Sequence, residues 1–155
     1  MKIRFESSFN AGYLASQLKS LSIPLLSELE TTDGGYDLIW GNLTNKKSEL
    51  YTSETDVLIL ALDTHCFPSF RGLEIPFRTS MGDTYNKISQ EIEDFVNAVS
   101  SLKETRPALT IIITSLLIPP FSTFGNLDFN SKEFNFTSFL YSCNNQLAAV
   151  TQELN

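Results

Sequence analysis

The sequence predicts one α/β domain with a mainly parallel sheet between two layers of helices, a three-layer α/β/α sandwich. Asp56–Asp63 and Leu109–Ser115 are continuous apolar runs, the pattern of strands that are buried on both faces of a parallel sheet. Between these runs, Tyr85–Lys103 carries apolar residues at helical spacing along one face. A strand, a helix and a second strand in this order form a right-handed crossover, so the two strands run parallel.

The size and composition of the chain agree with one domain. Its 155 residues are enough to bury a proper core, and 42% hydrophobic against 19% charged residues is a globular balance. The formal net charge of −7 argues against attraction to nucleic acid or to an anionic membrane surface. The N-terminus has no signal-peptide layout, and no apolar run approaches the roughly 18 residues of a membrane span. We therefore expect a cytoplasmic location with no nucleic-acid or membrane partner, and the oligomeric state stays open.

The first third of the chain predicts a strand and a helix, followed by a less regular stretch. Lys2–Ser8 is a predicted strand, and Gly12 opens a helix with apolar residues at helical spacing. Leu25–Leu29 is a plausible second strand, whereas Thr31–Tyr36 contains an Asp-Gly-Gly sequence and is predicted to be a turn. Trp40–Thr52 is ambiguous and is expected to form a loop with a short helix.

Two long loops and a final helix complete the predicted domain. His65–Asp83 is an irregular segment, and loops of this length inside a compact domain tend to be functional or mobile. A second loop follows Ser115 and runs to Asn130. The last helix, from about Lys132 to Glu153, places its apolar residues on a single stripe.

The carboxyl ends of the strands are where a site is expected, because ligands of open α/β sheets bind there. This rule selects Ser7–Asn10, Asp63–Pro68 and Ser115–Asn130 as the segments to examine.

Chemically active residues occur at two of these strand ends. Ser7 and Ser8 follow the first strand, where a serine can be a nucleophile if a base reaches it, or can cap the following helix. Capping is the better interpretation on local grounds. Asp63 can orient a base, hold a hydroxyl ligand or cap the next turn. His65 is the single histidine of the chain, so any serine-type triad must use it, although a lone loop histidine is more often a surface residue.

The two cysteines, Cys66 and Cys143, form neither a disulfide framework nor a metal-ligand spacing. Cys143 falls on the apolar stripe of the last helix, where a thiol acts as a small hydrophobe. Cys66 lies beside His65 and is the one thiol of interest. The sequence has no zinc motif and no glycine-rich phosphate loop, so we expect no metal and no cofactor.

Four short stretches give the chain a resemblance to a known family. They are Lys2–Asn10, Trp40-Gly41-Asn42 leading to Glu49-Leu50, Asp56–Asp63 and, most specific, Ile118–Asn130 with its proline pair and Gly-Asn-Leu-Asp sequence. The chain resembles the N-terminal, SGNH-hydrolase-like domain of FkbH-like proteins, whose second half is a HAD-type phosphatase-like domain. The resemblance implies an SGNH-hydrolase-like sandwich with flavodoxin-like topology, formed by residues 1–155 as one domain, with the HAD domain absent from this chain.

The hydrolase pattern of this family can be carried over to individual positions. Ser8 matches the nucleophile at the end of the first strand, although Glu6-Ser7 stands where the family has Gly-Asp. Gly41 matches the glycine whose backbone N–H helps to bind the oxyanion. Asp63 stands where the family carries an asparagine that donates to the same oxyanion. An ionised carboxylate only accepts hydrogen bonds, so Asp63 would repel the charge that develops in the transition state.

The family's Asp-x-x-His motif, expected just before the last helix, is also missing. Asp128 occupies that neighbourhood, but no histidine follows it. The resemblance therefore implies a site that keeps its shape without the triad histidine. Its ligand or oxyanion-like residues would be Ser7, Asn10, Gly41, Asp63 and Asn126.

Three hypotheses follow for the function. The leading one is a non-hydrolytic binding or assembly domain, with a HAD-type domain and an acyl carrier protein as partners. Full-length FkbH-like proteins look like enzymes that load a glyceryl-type unit, derived from a phosphorylated glycerate, onto such a carrier. The alternative is a small SGNH-type esterase or acyltransferase that uses Ser8 as nucleophile and His65 as base. A third possibility is a partner surface formed by the phenylalanine-rich stretch Phe121–Phe139, for which core packing is the favoured use.

Overall fold

The computed structural model describes residues 1–8, 12–20, 30–70, 81–118 and 135–154 of the chain. These residues contain four parallel strands: β1 Lys2–Ser7, β2 Glu30–Tyr36, β3 Val57–Ala61 and β4 Thr110–Ile113. Their order across the sheet is β2-β1-β3-β4, so the first strand lies inside the sheet. This is the order of the first four strands in a flavodoxin-like sheet.

The described helices connect and cover these strands. They are α1 Gly12–Ser20, α2 Ile39–Thr44, α3 Glu49–Thr52, α4 Met81–Thr105 and α5 Phe136–Leu154, with a short 3-10 helix at Thr64–Cys66. None of the helices in the described ranges is both long enough and apolar enough to cross a membrane.

Both faces of the sheet are buried, because successive side chains of each strand point to opposite faces and each face is covered by helices. On one face, Ile3 and Phe5 of β1 form a small core with Leu18 of α1, Val57 and Ile59. On the other face lies the main core, because α2, α4 and α5 all pack there. Its fully buried members include Ile39, Leu58, Leu60, Ile92, Phe95 and Leu140. The fold is thus an α/β sandwich of three layers, as the sequence predicts.

Several predicted strands and helices are confirmed, although their ends differ by a few residues from the predicted ones. The predicted strands at Lys2–Ser8, Asp56–Asp63 and Leu109–Ser115 correspond to β1, β3 and β4. The predicted helix Tyr85–Lys103 extends by four residues at its start and two at its end, as Met81–Thr105. Trp40–Thr52 contains the two short helices α2 and α3.

The last helix begins at Phe136, after the predicted start near Lys132, a position outside the described residues. Asn135 explains the boundary, since its Oδ1 accepts a hydrogen bond from the backbone N–H of Ser138 at 2.8 Å and so caps the first turn. Two phenylalanines of the proposed partner surface also pack inside the protein: Phe136 is 9% exposed, and the ring of Phe139 stacks on Tyr85 at 4.0 Å. The other phenylalanines of Phe121–Phe139 lie outside the described residues.

The prediction of a turn at Thr31–Tyr36 is wrong, because this segment is most of strand β2. It pairs in parallel with β1, and the pairing tolerates the two glycines through a bulge. Phe5 pairs with Asp33 and Ser7 pairs with Tyr36, so one residue of β1 faces two of β2. The competing prediction of a second strand at Leu25–Leu29 lies outside the described residues.

Candidate functional site

Ser8 and Asp63 meet at the carboxyl ends of two neighbouring strands. Ser7, the last residue of β1, pairs with Ala61, the last residue of β3, so the residues that follow them lie at one edge. The Ser8 hydroxyl donates a hydrogen bond to Oδ1 of Asp63 at 2.6 Å. The backbone N–H of Asp63 donates in return to the Ser8 oxygen at 3.3 Å. A short bond to a carboxylate is the stronger, charge-assisted kind.

His65 joins this pair through Asp63. Its backbone N–H donates to Oδ1 of Asp63 at 2.9 Å, which makes Asp63 the N-cap of the 3-10 helix. The ring Nδ1 lies 3.6 Å from the other carboxylate oxygen, Oδ2. The imidazole is 57% exposed and the Asp63 side chain 34%, whereas Ser8 is 3% exposed. The carboxylate therefore stands between the serine and the histidine.

This order of groups differs from that of a serine hydrolase. In a serine triad the imidazole lies between the serine and the carboxylate, and it removes the hydroxyl proton during attack. Here the one hydroxyl proton of Ser8 is donated to Asp63. The Asp63 carboxylate therefore occupies the position next to the serine that the imidazole holds in a triad. The arrangement holds Ser8 as a hydrogen-bond donor.

The other predicted site residues have separate positions. Ser7 is fully buried within the sheet, between β2 and β3. Gly41 lies in α2 on the surface, where an added Cβ would meet no atom within 4 Å. Asn10 and Asn126 lie outside the described residues. The structure thus brings together Ser8, Asp63 and His65.

Helix α2 is attached to both strand ends by the neighbours of Gly41. Trp40 Nε1 donates to the backbone oxygen of Cys66, just after the 63–65 segment, at 2.6 Å. Asn42 Nδ2 donates to Oε2 of Glu6, near the end of β1, at 2.8 Å. The position of α2 relative to the site therefore depends on two side-chain hydrogen bonds.

A buried charged network below Ser8 escaped the sequence analysis. Arg4 and Glu6 lie on the face of β1 that points to the main core, and they are 5% and 0% exposed. Arg4 Nε donates to Oε1 of Glu6 at 2.7 Å, and Arg4 Nη1 donates to Oε2 of Glu49 at 2.7 Å. Burial alone would lower the pKa of Arg4, but the hydrogen bonds to Glu6 and Glu49 outweigh it and raise that pKa.

Gly34 makes room for this network. A Cβ built on Gly34 would overlap the Glu6 carboxylate, so the absence of a side chain there lets Glu6 lie against β2. Gly35 follows with φ +94°, a backbone conformation that favours glycine. The Asp-Gly-Gly sequence, which predicts a turn, thus lies in a bulged strand, where Gly34 leaves space for the buried carboxylate of Glu6.

Both cysteines are buried free thiols. The pKa of Cys66 is raised from 9.0 to about 12, first by burial and then by the negative charges of Asp63, Asp37 and Glu91. Burial also raises the pKa of Cys143, to about 11, against a small opposing effect of a backbone hydrogen bond. Neither thiol is a nucleophile at neutral pH, because the reactive form is the thiolate.

The described residues away from Ser8 and Asp63 include a surface depression but no cluster that suits a metal ion. They contain no group of three or more histidine, cysteine, aspartate or glutamate side chains that could hold a metal ion. A depression of about 310 Å³ lies at the opposite, amino end of the strands, beside Asp56 and Arg106. The Arg106 guanidinium there donates to the backbone oxygens of Leu50 and Thr55 at 2.6 and 2.7 Å, so it ties the segment after α4 to α3 and to the loop before β3.

The fold of this chain is shared with a protein of known structure. No protein-family model matches the chain, and no curated protein does. Among solved structures, the chain is similar to the crystal structure of the N-terminal part of the protein BF1531 from Bacteroides fragilis, which contains a phosphatase domain and is complexed with Mg. The TM-score is 0.74 at 19% identity, and the match covers 99% of this chain. The chain spans 38% of that neighbour's length, and at this identity the likeness shows that the two share an α/β fold.

Proposed function

We propose that this chain is a non-hydrolytic accessory domain that binds a small ligand at the edge formed by Ser8 and Asp63. The observation that carries the proposal is the hydrogen bond from the Ser8 hydroxyl to the Asp63 carboxylate at 2.6 Å. In a serine hydrolase this hydroxyl donates to an imidazole base, whereas here it donates to a carboxylate, so the order of a serine triad is broken.

The negative charge of Asp63 is a second argument against hydrolysis. Ester hydrolysis builds negative charge on the carbonyl oxygen, which a hydrolase stabilises with hydrogen-bond donors. Loss of one such donor costs on the order of 10²–10³ in rate, and a carboxylate in its place adds repulsion. The same carboxylate suits a binding role, because it accepts hydrogen bonds from hydroxyl or amino groups of a ligand.

The accessory role is supported by the structural neighbour. BF1531 carries a phosphatase domain, and this chain matches 38% of the solved part of that protein. We infer that residues 1–155 form one domain that works beside a HAD-type domain in an FkbH-like protein of the cytoplasm. In such a protein the domain would dock or cover a glyceryl-type substrate during its loading onto an acyl carrier protein, as the family resemblance implies.

An esterase assay tests the non-hydrolytic part of the proposal. The purified protein is incubated with short-chain p-nitrophenyl esters between pH 6 and 9, beside the Ser8→Ala variant. We expect both proteins to release p-nitrophenol at the rate of the buffer. Turnover that Ser8→Ala abolishes would contradict the proposal. If His65→Ala abolished it as well, the alternative of an esterase with His65 as base would be supported.

The sequence of the gene beyond Asn155 tests the accessory part. The proposal expects an aspartate-rich HAD motif encoded in the same reading frame or in a neighbouring gene. A genomic context with neither would contradict the assignment to an FkbH-like protein, and the binding proposal for Ser8 and Asp63 would stand on its geometry alone.

A further inference from the structure

We propose that Asp63 makes this site selective for a ligand that carries a positively charged amino group. The inference rests on the proposed binding function and names the class of ligand. It follows from the hydrogen bonds of the carboxylate, from its pairing with a histidine among the described residues, and from the acidic residues around it.

The two oxygens of Asp63 have different surroundings. Oδ1 accepts from the Ser8 hydroxyl at 2.6 Å and from the His65 N–H at 2.9 Å. Oδ2 faces His65 Nδ1 at 3.6 Å, beyond the usual length of a hydrogen bond. With the side chain 34% exposed, Oδ2 keeps acceptor capacity that a ligand can reach.

Two other carboxylates that are not exposed accept hydrogen bonds from well-placed N–H or O–H groups. Glu6 accepts from Arg4 and from Asn42, each at less than 3 Å. Glu91 accepts from the backbone N–H and the hydroxyl of Ser69. Within the described part of the chain, the cationic group that the structure pairs with Asp63 is His65, which is charged only when protonated.

The charges near Asp63 add to its own. Asp37 and Glu91 both act, with Asp63, to raise the pKa of the buried Cys66 thiol. All three carboxylates therefore lie near Cys66, which follows β3, and the chain as a whole carries a net charge of −7. A cation gains from the field of these charges and an anion loses, with the strongest effect at the partly buried carboxylate. An ammonium group also provides the N–H donors that Oδ2 can accept.

Three probes of similar size separate charge from hydrogen bonding. Ethanolamine carries a positive charge at pH 7.5, ethylene glycol is neutral, and glycolate is negative. Each is titrated into the ¹⁵N-labelled protein at constant ionic strength while the backbone amides are followed by NMR. We expect ethanolamine to shift the amides of Ser8, Asp63 and His65 in a saturable way, with an affinity at least tenfold above that of either other probe.

Three variants test whether the selectivity comes from the carboxylate. Asp63→Asn should weaken ethanolamine binding at least tenfold, whereas Asp94→Asn removes an equal charge from an exposed position on α4 and should leave it unchanged. Ser8→Ala keeps the carboxylate and should retain the preference for the amine. It supplies the test if Asp63→Asn fails to fold, which the dispersion of the amide spectrum reveals.

The possible results separate this inference from the proposed function. Saturable binding of glycolate or ethylene glycol in preference to ethanolamine overturns the amine selectivity and leaves a binding site in place. An ethanolamine effect that Asp63→Asn does not change also overturns the inference, as does the absence of any saturable shift. Ester turnover in the separate assay overturns the non-hydrolytic function without bearing on the charge preference.

Discussion

The Ser8 hydroxyl lies 2.6 Å from Oδ1 of Asp63 and joins the carboxyl ends of β1 and β3. This contact links residues 55 positions apart in the chain, and it joins two strand ends at one polar edge, the candidate site. Below it, the Arg4–Glu6 pair fixes β1 against α2 and α3. The predictions below test the candidate site at Ser8 and Asp63 separately from the Arg4–Glu6 pair.

Replacing Gly34 with alanine should destabilise the protein, because the new Cβ would overlap the Glu6 carboxylate. Overpacking of this kind costs about 1–3 kcal/mol in free energy of unfolding. The matched control is Gly41→Ala, where the Cβ enters open space on a helix. There alanine should be neutral or stabilising by up to about 1 kcal/mol, since it has the higher helix propensity. Urea denaturation gives the free energy of unfolding of each variant. Equal changes in the two variants would contradict the role of Gly34 in making room for Glu6.

Replacing Glu6 with leucine should be strongly destabilising, because Arg4 then keeps a buried charge with one of its two partners removed. Breaking a buried ion pair costs about 3–5 kcal/mol, and the remaining contact to Glu49 favours the lower end. The double variant Arg4→Leu/Glu6→Leu should recover much of the loss, since no unpaired charge remains. Chemical denaturation measures both. A double variant less stable than Glu6→Leu alone would show that the pair itself stabilises the fold.

The two cysteines should be unreactive in the folded protein. At pH 8 a thiol with a pKa of about 12, as for Cys66, is almost entirely protonated. A thiol reagent such as Ellman's reagent should therefore label neither Cys66 nor Cys143 until urea unfolds the chain. Fast labelling of the native protein at either position would contradict the burial of these thiols.

The same thiols predict how stability changes at high pH. Their folded-state pKa values of about 12 and about 11 lie above the ordinary 9.0, so the folded protein holds these protons more tightly than the unfolded chain. Their contribution to stability is complete below pH 9 and is lost as the pH rises from about 9 to 12. Unfolding midpoints in urea between pH 8 and 11 should fall, and Cys66→Ala should flatten that fall.

The sequence predicted the layers of the fold because apolar runs and helical spacing report burial directly. Asp56–Asp63 and Tyr85–Lys103 are such signals, and both are confirmed. Strand β2 was missed because Asp-Gly-Gly is a local turn signal, whereas here it serves a tertiary contact with Glu6. Local propensity reports turn signals of this kind, but it carries no information about tertiary contacts.

The candidate site was predictable in location and not in geometry. The rule on strand ends selected Ser8, Asp63 and His65, which the structure brings together. The order in which they meet depends on a 3-10 helix capped by Asp63, and spacing alone does not reveal it. Arg4 and Glu6 alternate with Ile3 and Phe5, a pattern that normally marks a solvent-facing side. Their burial follows from the coverage of that face by α2 and α3, which the local sequence does not encode.

The most direct test of binding without hydrolysis is the reactivity of Ser8 itself. A fluorophosphonate reacts only with serines that a base has activated. The serine oxygen attacks phosphorus and displaces fluoride, the base takes the hydroxyl proton, and the adduct appears as a mass increase of the intact protein. With Ser8 held as a donor to Asp63, we expect no adduct on the native protein after prolonged incubation, as for Ser8→Ala. A stoichiometric adduct that maps to Ser8 and disappears in Ser8→Ala would contradict the proposed function.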